Sequence, residues 1–313
     1  MKLNELGRTG IFVTELCFGA LPIGPLQANV PVQEAARVIR EALEGGVNFV
    51  DTAQSYRTYP HLREALRGFA GDVVIASKSQ SLTYQGMEDA VHEAVRELNR
   101  DWLDIFLVHS VDRLDELATR RPALDCLLEC KRKGMVKAVG LSTHSVVVAS
   151  QACKMPEIEV LLVLVNKSGI GLRDGTVGQM TEVIGEASRL GKGVYVMKAL
   201  GGGQLIGQFE EAVQFVRAIP GVQSIALGCI NSTEVQEALQ LFTEGPSRKG
   251  SRPRALGKRL FIASFCKGCG HCTKVCPAGA LSVVEGKAVV DQDKCLLCGY
   301  CNAACPEFAI RVV

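Results

Sequence analysis

Eight of the thirteen cysteines in this 313-residue chain crowd into its last 48 residues, and their spacing repeats. Cys266, Cys269, Cys272 and Cys276 read Cys-x-x-Cys-x-x-Cys-x-x-x-Cys-Pro, and Cys295, Cys298, Cys301 and Cys305 give the same pattern 29 positions later. The repeat extends past the thiols. Ala280-Leu281-Ser282-Val283-Val284 after Pro277 is matched by Ala309-Ile310-Arg311-Val312-Val313 after Pro306. Three closely spaced thiolates take three corners of an iron–sulfur cubane, and a fourth, held beyond a proline turn, reaches the neighbouring cubane. The expected pairing is therefore crossed, with Cys266, Cys269, Cys272 and Cys305 on one [4Fe-4S] cluster and Cys295, Cys298, Cys301 and Cys276 on the other. Zinc is the competing metal for paired Cys-x-x-Cys, but it needs only four ligands and does not explain the third cysteine, the proline or the crossed repeat. Gly268, Gly270 and Gly299 let backbone N–H groups approach cluster sulfur. Cys17, Cys126, Cys130, Cys153 and Cys229 share no such spacing and read as buried, inert thiols.

The remainder of the chain is long enough for one barrel-sized domain. From Leu16 to about Glu244, short apolar runs alternate with helical patterns in eight pairs. The expected strands are Leu16–Ala20, Val47–Asp51, Val73–Ser77, Leu103–Val108, Val136–Leu141, Ile158–Val165, Gly193–Met197 and Ser224–Leu227. Most are nearly continuous in hydrophobicity, as parallel strands covered on both faces require. Val32–Glu44, entered through Pro31, and Met87–Leu98 carry apolar residues at helical spacing. The pattern predicts a (β/α)8 TIM barrel, with an open doubly wound sheet as the alternative. Residues 2–13, turning at Gly7 to Gly10, predict a β-hairpin before the barrel.

The expected division is a barrel over 1–244, a Gly/Pro/Ser-rich basic linker over 245–259 and a small α+β domain over 260–313. The linker reads as a solvated connector, with docking of an acidic partner as the other reading. The second domain resembles bacterial two-cluster ferredoxins. A net charge of +2 supplies no global field for nucleic acid or an anionic membrane. No run is long and apolar enough to span a bilayer. Without a signal-peptide plan, and with so many thiols at metal-ligand spacing, a reducing cytoplasmic setting is expected.

Functional groups of such barrels collect where strands end. Asp51 closes the second expected strand, Lys78 follows the third, His109 follows the fourth, and Tyr56 lies in the loop after Asp51. A phenol is a poor acid at neutral pH unless a neighbouring cation stabilises its phenolate. Lys78 supplies that charge in this reading, Asp51 holds Lys78, and His109 orients a carbonyl so that Tyr56 donates a proton.

At these residues the sequence resembles the aldo-keto reductase family, with GRTG, CFGA, DTAQSY, ASK, LVHS, VGLSTH and GCINSTEVQEAL in order. The resemblance implies a catalytic tetrad of Asp51, Tyr56, Lys78 and His109, and NADP or NAD bound without a Rossmann fold. It places cofactor contacts at Ser142, Thr143, Met197, Lys198, Gly201, Gly202, Asn231 and Glu234. Leu162 and Met197 depart from the usual nicotinamide contacts, and Gly228 and Glu234 from the cations that hold a 2′-phosphate. Lys198 with Gly201, Gly202 and Gly203 reads either as a pyrophosphate cradle or as a plain loop. The first functional expectation is interconversion of a small carbonyl and an alcohol, with the clusters as an electron-transfer module. Hydride carries two electrons and a cubane accepts one, so a flavin, or a ferredoxin or flavoprotein partner, is the second. A nucleotide-binding redox sensor is the third.

Overall fold

The computed structural model describes residues 1–246, 258–276, 278–295 and 300–313. Strands β1 (Leu3–Glu5) and β2 (Phe12–Thr14) form the expected antiparallel hairpin. Eight parallel strands follow: β3 (Leu16–Gly19), β4 (Phe49–Asp51), β5 (Val74–Ser79), β6 (Leu103–Val108), β7 (Val136–Thr143), β8 (Val160–Leu164), β9 (Gly193–Met197) and β10 (Ser224–Leu227). Because β10 pairs with both β9 and β3, the sheet is a closed barrel and the open-sheet alternative falls away.

Nine helices among the described residues surround the strands: α1 (Val32–Glu44), α2 (Tyr59–Leu66), α3 (Tyr84–Leu98), α4 (Leu114–Thr119), α5 (Arg121–Arg132), α6 (Val146–Cys153), α7 (Val177–Arg189), α8 (Phe209–Arg217) and α9 (Ser232–Thr243). Each long helix turns one apolar stripe to the sheet. In α1 that stripe is Ala35, Val38, Ile39, Ala42 and Leu43, all buried. A second apolar cluster fills the barrel itself, from Phe49, Ile105, Leu107, Val160 and Tyr195 to Leu6, Ile11 and Val13 of the hairpin region. The hairpin therefore plugs one end and leaves the strands' C-terminal ends as the open mouth.

Five strands differ in their limits from the sequence reading, and three of these differences bear on the site. β4 begins two residues late, while β5 runs on through Lys78 to Ser79 and β7 through Ser142 to Thr143. Hydrophobicity stops at these ends but the ladder does not. Lys78 pairs in register with Leu107, and Thr143 with Val163. Lys78 thus stands inside a strand, not after one.

Beyond the barrel, β11 (Leu260–Ile262) pairs antiparallel with β14 (Ile310–Val312), and β12 (Leu281–Val284) with β13 (Lys287–Val290). Short helices α10 (His271–Val275) and α11 (Tyr300–Ala303) complete this region. Its core consists of Leu260, Leu281, Ile310, three alanines and the cysteines. A core that thin needs a staple, which metal clusters supply. Most of the expected linker, with Pro277, Cys298 and Gly299, lies outside the described residues. No helix among the described residues is long and apolar enough to cross a membrane.

Candidate active site and cluster ligands

The barrel mouth is organised by one buried ion pair. Lys78, 1 % exposed, points into the barrel from β5 and donates to Asp51 Oδ1 at 2.8 Å, Asp51 Oδ2 at 2.7 Å and the Thr52 carbonyl at 2.7 Å. All three ammonium donors are engaged. Across the barrel, the Tyr195 hydroxyl on β9 also donates to Asp51 Oδ1, at 2.8 Å. Sequence reasoning missed Tyr195; its signal was a phenol in the otherwise aliphatic run GVYVM. Burial alone would lower the Lys78 pKa, but Asp51 and then Tyr56 together outweigh it and the group ends above an ordinary lysine.

Tyr56 closes a single 3-10 turn after β4, and its ring centroid lies 4.7 Å from Lys78 Nζ. His109 meets the Tyr56 ring edge-on, with centroids 5.6 Å apart. Burial, then the nearby Lys78 charge, holds the His109 imidazole well below its usual pKa, so it is neutral at neutral pH. Its Nδ1 is buried without a hydrogen-bond partner among the described residues. The expected depression of the Tyr56 pKa does not survive. Burial pushes the phenol above its ordinary value, with Asp51 adding to that push, against the opposing charges of Lys78 and Arg311. Lys78 is less effective than a free cation because Asp51 sits on it.

Arg311 reaches this site from β14, so the cysteine-rich region covers the mouth. Phe308 packs against the glycine loop after β9. A Cβ on Gly202 would lie 2.9 Å from the Phe308 ring, and one on Gly203 2.6 Å from Val312. Both glycines have positive φ. Asn302 donates to the Gly202 carbonyl at 3.4 Å, and Arg173 donates to the Pro306 carbonyl at 2.5 Å. The close approach these glycines permit is taken up by the last strand.

A model of the Aldo/keto reductase family matches residues 15–244, and a 4Fe-4S dicluster domain matches residues 259–306. The chain belongs to the aldo/keto reductase family. A Pseudomonas aeruginosa protein assigned to the aldo-keto reductases superposes with a TM-score of 0.67 at 27% identity, covering 78% of this chain and 95% of that one. Among curated relatives, pyridoxine 4-dehydrogenase of Escherichia coli is 29% identical over 168 residues, which is 47% of this chain and 58% of that protein. L-galactose dehydrogenase of Arabidopsis thaliana is 25% identical over 156 residues, 45% of this chain and 48% of that protein. The chain spans about half the length of the curated relatives it matches.

Several of the positions that the aldo/keto reductase resemblance gave to a dinucleotide also make contacts within the chain. The Ser142 hydroxyl accepts from Ser110 N–H at 2.8 Å, and Thr143 Oγ1 accepts from Ser145 N–H at 3.0 Å. The Asn231 side chain accepts from Glu234 N–H and caps α9. Glu234 forms an ion pair with Lys258, just ahead of β11. Lys198 Nζ contacts His144 Nε2 at 2.9 Å and lies 4.3 Å from the Phe308 ring centroid. The cleft is lined by Tyr56, Met197, Lys198 and Glu234 on the barrel side and by Lys258, Arg311, Val312 and Val313 on the other. Its cavity is about 160 Å³. An enclosed apolar void of about 150 Å³ holds a benzene-sized molecule, and in this open cleft Lys258 and the last strand form one wall.

The cluster ligands fit their metal group better. Cys266, Cys269, Cys272 and Cys305 line one small cavity with Ala288, Ala309 and Ile310, which brings together the crossed set that the repeat predicts. Backbone N–H groups point at the sulfurs: Gly268 and Ala288 donate to Cys266 Sγ at 3.4 Å, and Ala309 donates to Cys305 Sγ at 3.3 Å. Such donors stabilise the negative charge of a thiolate-held cluster. In the second set Ala280 N–H donates to Cys276 Sγ at 3.3 Å, while Cys298 is outside the described residues. The other five cysteines are buried, as expected.

Removing the Lys78 charge leaves Asp51 buried and uncompensated, so Lys78→Met should cost about 3–5 kcal/mol. Tyr195→Phe removes one neutral donor and should cost about 1 kcal/mol. Urea denaturation of the two variants decides this, and equal midpoints would show that the pair is not the keystone of the mouth.

Proposed function

We propose that the barrel interconverts a small carbonyl compound and an alcohol, with Tyr56 delivering a proton to the carbonyl oxygen. The observation that supports this most is the grouping of Lys78, Asp51, Tyr56 and His109 at the mouth, with Lys78 and Asp51 locked together. Reduction consumes two electrons and two protons. Tyr56 holds one proton at neutral pH because its pKa lies above the ordinary phenol value. His109, neutral and beside the Tyr56 ring, suits a hydrogen bond to the same oxygen rather than a charge interaction. Lys78 places a positive charge next to the phenolate that remains, and Asp51 and Tyr195 keep Lys78 from swinging away.

The electron source is the finer question. In the family reading NADPH or NADH supplies hydride. The second reading, a flavin- or ferredoxin-linked enzyme, gains support from the cleft wall, where Lys258 and Arg311 to Val313 line the groove that a dinucleotide would need. Two one-electron clusters also hold between them the two electrons that one carbonyl consumes. A nucleotide-binding redox sensor is favoured by no observation. A reducing, cytoplasmic location fits all of these readings.

Carbonyl reduction should be assayed anaerobically with NADH, NADPH and reduced methyl viologen in turn. Tyr56→Phe should lose about 10²–10⁴-fold in rate with whichever donor works. A variant that keeps its activity would remove Tyr56 from the chemistry. The pH profile follows from the raised phenol pKa. Reduction needs the protonated phenol, so its rate should stay level through neutral pH and fall only as pH rises past about 10; alcohol oxidation needs the phenolate and should rise over that range.

For the clusters, Cys305→Ser should remove about four of roughly eight irons. The crossed pairing predicts that this cluster is the one lost with Cys269→Ser, and that Cys276→Ser removes the other. Iron analysis with EPR of the reduced variants checks this. Matching spectra for Cys269→Ser and Cys276→Ser would argue for uncrossed ligation.

A further inference from the structure

Two cations face the cleft with no carboxylate bound to either among the described residues. Lys198 follows β9, and its one polar side-chain partner among the described residues is the neutral ring of His144. Burial lowers the His144 pKa to about 4, with Lys198 contributing. The carboxylate behind it, Asp112, already serves the His144 ring at 3.0 Å and the His144 N–H at 2.7 Å. Arg311 donates to the Ile310 carbonyl at 2.9 Å and otherwise rests on the Phe308 ring, 4.0 Å from its centroid. Lys198 contacts the same ring.

The backbone around this arrangement is strained. Lys198 and Phe308 both have left-handed φ, 59° and 51°, and neither is glycine. Asn166, fully buried, donates to the Lys198 carbonyl at 3.3 Å and helps to hold it there. Residues kept in that region against their preference cluster where a site needs a side chain aimed in one direction. An aromatic face offsets part of the repulsion between two cations, but it supplies no negative charge to either. Burial, with Arg311 adding to it, holds the Lys198 pKa well below that of an ordinary lysine, a deficit that an incoming anion would relieve. Arg311 is also close enough to Tyr56 for its charge to lower the phenol pKa.

We propose that Lys198 and Arg311 form an anion subsite beside Tyr56, and that the substrate is a small oxo or hydroxy compound carrying a carboxylate or phosphate. Arg311 belongs to the cysteine-rich domain, so that domain contributes directly to substrate recognition in the barrel. A cavity of about 160 Å³ suits a ligand of a few heavy atoms. The planar guanidinium matches two oxyacid oxygens, and the ammonium adds a point charge. This inference rests on reading the barrel as a carbonyl-reducing site, and its test does not depend on turnover.

Calorimetry on the cluster-loaded protein under anaerobic conditions uses oxalate, inorganic phosphate and ADP as probes. One oxalate or phosphate should bind per chain, and Arg311→Gln and Lys198→Gln should each weaken it about 10- to 100-fold. Arg311→Lys should recover part of the loss, which a merely structural contact with Phe308 would not. Tyr56→Phe should still bind oxalate, so a failed subsite is distinguishable from a failed proton donor. Absence of oxalate and phosphate binding, or equal affinity in all variants, would overturn the proposal. ADP that displaces oxalate and weakens in the same variants would also overturn it, assigning the cations to a nucleotide's phosphates instead of the substrate.

Discussion

An ammonium and a carboxylate withdrawn from water must find their hydrogen bonds inside the protein, and at the barrel mouth Lys78 and Asp51 find them almost entirely in each other. Desolvation makes such a pair a poor source of stability. What it supplies is geometry. It ties β4 to β5, and through Tyr195 it reaches β9 on the far side of the barrel. Tyr56 and His109 are then presented over a fixed positive charge, and a site built this way needs little reorganisation when a carbonyl arrives.

The cysteine-rich domain depends on different forces. It has few large apolar residues of its own and anchors to the barrel through Phe308, Asn302, Pro306 and Val312. Gly202 and Gly203 after β9 make that approach possible by leaving space where side chains would collide. The anchoring also delivers Arg311, whose charge is felt by both Tyr56 and the cluster ligand Cys305. One guanidinium thus stands within electrostatic reach of Tyr56, the proposed proton donor, and of Cys305, a proposed cluster ligand.

The barrel was legible because burial on both faces forces long apolar strands at regular intervals, and the tetrad because polar residues interrupt those strands at their ends. The same signal misplaced Lys78 and Thr143, since hydrophobicity ends where a polar site begins while hydrogen-bonded pairing continues. The cysteine repeat was legible because cubane geometry fixes the spacing of its ligands. Tyr195 was hidden: a strand phenol reads as core until a partner such as Asp51 is located. Arg311, Phe308 and Lys258 were hidden for another reason. Their contribution depends on how two separately encoded domains meet, and neither hydrophobic period nor local motif records that contact. Gly202 and Gly203 left a pyrophosphate cradle and a plain loop equally open because permissive backbone looks the same in sequence whether a ligand or another strand approaches it.

The wall of the cleft formed by Lys258, Arg311, Val312 and Val313 comes last in the sequence. A chain that folds as it leaves the ribosome completes its barrel first. Until the cysteine-rich domain has been made and has docked, the mouth lacks that wall and Tyr56 faces bulk water. Biosynthetic order therefore bears on the barrel's own cleft, since the space beside Tyr56 gains this wall only after the barrel itself has been made.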